Sequence, residues 1–386
     1  MQSEDFLINK GNRSIAGQVY STSKEDSQPA LIISHGFGST MSELVNEAEF
    51  FTNHGYVSVI FDYCGGGNPK LSKSSGKSVD MNIFTEREDL LDVIEYVKTL
   101  KYVDESRISL FGYSQGGFVS GLTAAYLEDA IEKLVMVFPA ICIPDHARLG
   151  MLGGAVYDLK NVPDSWLCPN GMYLGRQFHE KVLNFDPYAE MRRYTGDVLI
   201  IHGDKDSVVD YSYSVKAHRN YKPGQSRLRI VRGADHGFDK EVAYNVLTGA
   251  LAFLKGYEEV LDIKVFVTDF KELIKEPGKW KAEVYFTGYC DNENFHGTIL
   301  PGAKDTQTKI GDGEVRLNAE YVLSGKDKDD RNCEISIINR KDGEFFRPII
   351  KTDSQALDYL NHAQTLSALE FFEGGLTVRI MVKEGK

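Results

Sequence analysis

Ser114 stands in Gly112-Tyr113-Ser114-Gln115-Gly116, which has the form G-x-S-x-G. The apolar run "ISLF" leads into it, and small and apolar residues follow at helical spacing in "GFVSGLTAAYLED". A strand–turn–helix with serine at its corner lifts the hydroxyl to a helix N-terminus, where the dipole favours developing negative charge. Glycine two residues before and two after removes the Cβ atoms that would clash in so sharp a turn. The chemistry this favours is nucleophilic acyl transfer. The plainer alternative is an idle serine in a turn that needs glycine, and the rest of the chain must decide between them.

A serine hydroxyl needs a base, and the base needs an orienting carboxylate. His218, in "YSVKAHRNY", reads as a solvated residue on a surface helix. His236, in "VRGADHGF", lies in a loop just after a strand, beside Gly233 and Gly237, where an exposed imidazole would be placed. For the acid, "IIHGDKDSVVD" offers Asp204, Asp206 and Asp210 at the end of an apolar strand. Asp206 is preferred, with Asp204 its main competitor. The other aspartates read as turn formers bonding their own backbone, and so does Asp235. Two N–H donors must also face the oxyanion. The Gln115 amide follows the nucleophile, and the Phe37 amide of "SHGFGST" fits the second slot, with His35 and Gly36 shaping that loop. Losing such a donor typically costs about 100- to 1000-fold in turnover.

These residues need a frame that brings them together. "ALIIS", "YVSVIF", "RISLF", "KLVMV", "DVLII" and "RLRIV" are short and apolar throughout. They alternate with helical patterns such as "SELVNEAEFFTNHG", where Leu44, Val45, Ala48 and Phe51 share a face and Gly55 stops the helix. "TEREDLLDVIEYVKTL" predicts a helix opening on a capping box from Thr85 to Glu88. The last helix falls at about "EVAYNVLTGALAFLKGYEE". Buried strands alternating with amphipathic helices predict an α/β fold with a parallel sheet covered on both faces. Residues 141–195 break the rhythm with prolines, glycines, Trp166, Tyr157 and Tyr173, and predict a small inserted subdomain. After about residue 260 the texture changes to alternating strands with Gly, Asp and Asn turns, and one short helix at "DSQALDYLNH". This predicts a second, mostly antiparallel β domain that closes into a barrel. The expected domains are thus 1–258, with the insert at about 141–195, and 262–386.

The totals set bounds. A chain of 386 residues is long for one core. A net charge of −12 argues against nucleic acid or an anionic membrane as the main partner. Cys64, Cys142, Cys168, Cys290 and Cys333 are scattered, with no CxxC. Neither a disulfide framework nor a metal site is expected, and a reducing compartment fits. "MQSEDFLINKGNRS" has no apolar signal region, so a cytoplasmic protein is expected.

"SHGFGST", "FDYCGGGN", "GYSQGG", "HGDKDSVV" and "GADHGF", in this order, resemble the α/β-hydrolase family of serine esterases over roughly residues 1–258. Ser114 to Asp206 is 92 residues, and Asp206 to His236 is 30. "FDYCGGGN" departs from the more usual Arg-Gly-His-Gly form of its loop. Within that family, "FPAICIPDHARLG" and the insert near "NVPDSW" and "GMYLGRQF" are similar to bacterial cinnamoyl (feruloyl) esterases. That resemblance implies a lid over the acyl group, with Asp145 at the ring hydroxyl. It places Gln177 where the group has a tyrosine, with Tyr173 or Phe178 as stand-ins and Trp166 among the contacts. The C-terminal part, with "LPGAKDTQTKIGDGEVRLNAEYVLSGKD", resembles small calycin-like β-barrels of no known activity.

The expected function is a serine carboxylesterase for small aromatic esters, working without cofactor on a small-molecule ester, with homo-oligomerisation left open. A peptidase or amidase, or a short-chain acyl esterase, could use the same three residues. A ligand-binding protein that has lost turnover is the reading from a different class.

Overall fold

A computed structural model describes residues 1–342, 345–372 and 374–383 of the chain. They form two compact units, 1–238 and 239–386.

The first unit is built on one eight-stranded sheet. Its strands are β1 (Gln2–Lys10), β2 (Arg13–Ser21), β3 (Gln28–Ser34), β4 (Val57–Phe61), β5 (Val103–Tyr113), β6 (Lys133–Val137), β7 (Asp197–Gly203) and β8 (Ser226–Val231). Their order across the sheet is β1-β2-β4-β3-β5-β6-β7-β8. From β4 to β8 all neighbours run parallel, while β1 and β2 form an antiparallel hairpin on the β4 edge. The six parallel strands are the six apolar runs of the sequence. Every residue of β4 is buried, as are Leu31 to Ile33 of β3 and Ile108 to Phe111 of β5. This is the pattern of a sheet covered on both faces. β1 carries no such signal, because it buries only Phe6, whereas six of the nine residues of β2 are buried.

Helices α1 (Val45–Asn53), α2 (Ile83–Lys98) and α3 (Ser114–Leu127) follow β3, β4 and β5. The predicted capping box is displaced. Asn82 is the N-cap, accepting from the Phe84 and Thr85 amides, and the Thr85 side chain returns to the Asn82 amide. The box therefore runs from Asn82 to Thr85, and Ile83 and Phe84 lie inside the helix. The insert holds α4 (Ile143–Arg148), two short hairpins within 151–175, α5 (Arg176–Val182) and α6 (Pro187–Met191). A last helix, α7 (Ser212–Asn220), links β7 to β8.

The second unit opens with α8 (Lys240–Leu254), which the sequence pattern assigned to the first domain. Its Ala252 packs with Tyr257, Leu366, Ala368 and Met381, so the division falls at 238/239 instead of 258/262. The strands that follow are β9 (Tyr257–Glu276), β10 (Lys279–Asp291), β11 (Phe295–Ile299), β12 (Lys304–Ile310), β13 (Arg316–Asp327), β14 (Asn332–Asp342), β15 (Phe345–Phe346), β16 (Ile349–Thr352), β17 (Thr365–Phe372) and β18 (Gly375–Lys383). Successive antiparallel pairings run from β9 through β10, β12, β13, β14, β15 and β17 to β18, and β18 pairs again with β9. The sheet thus closes into a barrel, which leaves no long open edge. The predicted helix at "DSQALDYLNH" is reduced to one 3-10 turn, Asp358–Asn361.

Candidate active site

Ser114 sits where β5 ends and α3 begins, with φ of 52°, a left-handed conformation unusual for a residue with a side chain. The glycines around it are there for space. A Cβ on Gly112 would lie 2.4 Å from the Gly116 carbonyl oxygen, and one on Gly116 only 2.3 Å from that of His35. These contacts are with backbone, so no side-chain rotation relieves them. The corner holds Ser114 against the loop after β3, where a Cβ on Gly36 would be 3.2 Å from that of Ser114.

The loops at the ends of β5, β7 and β8 bring the three predicted residues together. Ser114 Oγ donates to His236 Nε2 at 3.1 Å, and His236 Nδ1 donates to Asp206 Oδ2 at 2.8 Å. The network assigns that tautomer. The Asp206 side chain is fully buried and that of His236 is 18% exposed. Burial alone would raise the Asp206 carboxyl, but hydrogen bonds from His202, His236 and the Val209 and Val208 amides outweigh it and hold the group well below the usual carboxylate range. Asp206 is a fixed negative charge beside the imidazole.

The competing aspartates are occupied elsewhere. Asp204 accepts from the Gly233 amide at 2.6 Å, and Asp235 accepts from the Ser207 amide and hydroxyl at 2.7 and 2.8 Å. Both tie the β7 loop to the β8 loop, a role the sequence pattern did not separate from ordinary turns. Asp210 does bond locally, to the Ser212 amide. His218 is on α7, bonded to Ser226 Oγ at 2.8 Å.

Neither the Phe37 amide nor the Gln115 amide has a partner among the described residues. Gln115 is in the first turn of α3, where amides lack a helical acceptor. His35 fixes the Phe37 loop from below. Its Nδ1 donates to the Gly36 carbonyl at 2.8 Å, and its Nε2 accepts from the Tyr63 amide at 3.1 Å. Burial lowers its pKa, so it is neutral and structural.

Three residues around the site were not singled out from sequence. His202, fully buried on β7, places Nε2 at 3.0 Å from Asp206 Oδ2 and at 2.9 Å from the Val209 carbonyl oxygen. Its Nδ1 accepts from Ser214 Oγ at 2.7 Å. Phe138, with φ of 36°, packs its ring on His236 with centroids 4.5 Å apart. Glu86, buried in the first turn of α2, accepts from Gln115 Nε2 at 2.8 Å. Burial raises its pKa to about 8. The glycines of "YCGGG" pass directly over it, since a Cβ on Gly66 would lie 2.2 Å from Glu86 Oε1.

The insert is positioned against the Phe37 loop. A Cβ on Gly38 would meet Asn170 Nδ2 at 2.5 Å and Met172 Sδ at 3.2 Å, and one on Gly153 would meet the Phe37 ring at 3.3 Å. The four residues implied as substrate contacts differ in setting. Tyr173 is half exposed on a short insert strand. Asp145, on α4, pairs with Arg148 Nη1 at 2.5 Å. Trp166 is buried in the insert's own core, with Nε1 donating to the Leu152 carbonyl at 3.3 Å and its ring 4.5 Å from that of Tyr157. Gln177 donates to the Val79 carbonyl at 3.1 Å, tying the insert to residues 78–80. Phe178 is a fully buried core residue. Among the described residues no cluster of His, Cys, Asp and Glu is arranged to hold a metal ion.

Residues 25–163 match the family described as serine aminopeptidase, S33. That span contains Phe37, Ser114 and Gln115 and ends before Asp206 and His236. The quorum-quenching protein AidA of Acinetobacter baumannii is 22% identical over 294 residues, which is 65% of this chain and 94% of that protein. A solved structure of Est1E from Butyrivibrio proteoclasticus with ferulic acid bound has a TM-score of 0.59 and 29% identity, covering 64% of this chain and 97% of that one. The α/β hydrolase GrgF from Penicillium sp. sh18 shares the fold, at a TM-score of 0.53 and 19% identity over 66% of this chain and 98% of its own.

Proposed function

The N-terminal unit is an α/β-hydrolase, and on that premise we propose that it is a serine carboxylesterase acting on small esters of aromatic, hydroxycinnamate-type acids. The observation that carries the reading is the unbroken hydrogen-bond chain from Ser114 Oγ through His236 to the buried Asp206 carboxylate. Ser114 Oγ attacks the ester carbonyl as His236 Nε2 takes its proton. The Phe37 and Gln115 amides hold the oxygen that becomes negative. His236 returns the proton to the leaving alkoxide, which departs as the alcohol and leaves an acyl-serine. Water, deprotonated by His236, then attacks that ester and releases the acid. Asp206 orients the imidazole and stabilises its charged form throughout.

The aromatic acyl group is supported by the likeness to the ferulic-acid-bound Est1E and by an insert that leaves Tyr173 half exposed and packs Tyr157 against Trp166. A second reading, a peptidase or amidase on the same residues, is favoured by the description of the matching family. A panel of methyl ferulate, methyl caffeate, chlorogenate, p-nitrophenyl acetate and an aminoacyl-anilide separates them. The proposal expects methyl ferulate or caffeate to be hydrolysed with the highest kcat/KM. Equal rates on acetyl and cinnamoyl esters would reduce the reading to a general acyl esterase, and dominant anilide cleavage would replace it by a peptidase. The proposed setting is cytoplasmic, consistent with five buried, unpaired cysteines, and the proposed partner is a small ester and neither nucleic acid nor membrane.

A further inference from the structure

The barrel of the second unit holds a cavity of about 240 Å³ that is partly open to solvent. Val284, Phe286 and Leu376 are among its walls, and most of the lining is apolar. Three carboxyl or amide side chains interrupt it: Asp305, Gln307 and Asn339. Their hydrogen bonds fix what each has left to offer. Gln307 Nε2 donates to Asp305 Oδ2 at 2.8 Å, leaving the Gln307 carbonyl as an acceptor. Asn339 Oδ1 accepts from Ser367 Oγ at 3.0 Å, leaving the Asn339 amide as a donor. Asp305 Oδ1 accepts from the Asn318 amide at 2.9 Å. Tyr321 also lines the cavity, and its buried hydroxyl has no partner among the described residues, a costly condition that a bound acceptor or water relieves.

Size and charge then restrict the occupant. A dry cavity of roughly 150 Å³ is enough for benzene, so this one accepts a substituted ring. No Lys, Arg or His lines it, and its single charged group is an acid. A carboxylate guest would be desolvated beside Asp305 with no cation to compensate, which is strongly unfavourable. A hydroxyl group, donor and acceptor at once, matches the free Gln307 carbonyl and the free Asn339 amide.

We propose that the barrel interior is a binding site for a small, uncharged, ring-sized alcohol or phenol, and that it excludes the corresponding carboxylic acid. The site lies wholly within residues 257–383 and stands whether or not Ser114 turns over esters.

Fluorine NMR on the full chain tests this with 4-fluorobenzyl alcohol and 4-fluorobenzoate as probes at pH 8. Saturable binding of the alcohol is expected, with the benzoate more than about tenfold weaker. Ala319→Trp, which fills the cavity, should abolish alcohol binding while circular dichroism stays unchanged. Asp305→Asn keeps the volume and removes the charge, so it should narrow the gap between the two probes even if the tryptophan variant does not fold. No saturable alcohol binding would overturn the proposal. So would alcohol binding that survives in folded Ala319→Trp, or an alcohol preference that Asp305→Asn leaves unchanged.

Discussion

His202 Nε2 approaches the same oxygen of Asp206 that receives His236 Nδ1, at 3.0 and 2.8 Å respectively. The acid is thus held from two sides by imidazoles, one buried and one facing Ser114. His202→Phe removes one hydrogen bond to a buried charge while filling similar space. It should lower kcat/KM by about 10- to 100-fold, the equivalent of the ~1.5–3 kcal/mol typical of such a bond. A change in stability with kcat/KM unchanged would leave His202 a packing residue.

Glu86 makes a prediction of opposite sign. Its carboxyl, ordinarily at 4.5, is raised to about 8 chiefly by burial. The folded chain therefore holds a proton there that the unfolded chain releases. The stability that this proton provides is complete below about pH 4.5 and is lost as pH rises toward 8, at up to about 1.4 kcal/mol per pH unit. Denaturant unfolding of wild type and Glu86→Gln across that window should give curves that diverge, with the variant flatter. Parallel curves would contradict the buried, protonated state.

The two glycine environments separate space from backbone conformation. Gly116→Ala forces a Cβ against the His35 carbonyl and so displaces the loop carrying Phe37. About 1–3 kcal/mol of stability should be lost, with kcat falling at least about tenfold. Gly233 has φ of 75° and open space around its missing Cβ. Gly233→Ala should cost only the ~1–2 kcal/mol of a left-handed L-residue. Thermal unfolding with kinetics on p-nitrophenyl acetate checks both.

Ser114, Asp206 and His236 were legible in the sequence because each lies in a glycine-bounded loop directly after an apolar strand. Such loops must gather at one edge of a parallel sheet. His202 was not legible, since a histidine inside a buried strand declares no partner, and Ser214 lies on α7, after the next loop. Glu86 reads as a solvated acid in a helix's first turn. Its burial comes from the glycine loop overhead, a tertiary fact. The hairpin of β1 and β2 was not legible because β1 buries only Phe6, although Gly11, at φ of 61°, marks its turn. In the second unit most strands could be read from alternation. Closure into a barrel was legible as well, but not the register that achieves it, which sets Phe346 opposite Ser367.

Gln177 ties the insert to the Val79 carbonyl beside Gly175, where a Cβ would sit 2.1 Å from the same oxygen. Gln177→Ala should loosen this attachment. Binding should suffer more than chemistry, with KM for methyl ferulate rising several-fold while kcat changes less than about twofold. An equal fall in kcat would place Gln177 closer to the reacting atoms than its bond to Val79 indicates.

The central claim is that Ser114 is an activated nucleophile. A fluorophosphonate probe applied to the folded full-length chain, followed by peptide mass spectrometry, measures this most directly. One adduct is expected, on the peptide carrying Ser114, absent from Ser114→Ala and strongly slowed in His236→Ala. A folded chain that remains unlabelled, or one labelled elsewhere with Ser114 intact, would contradict the account.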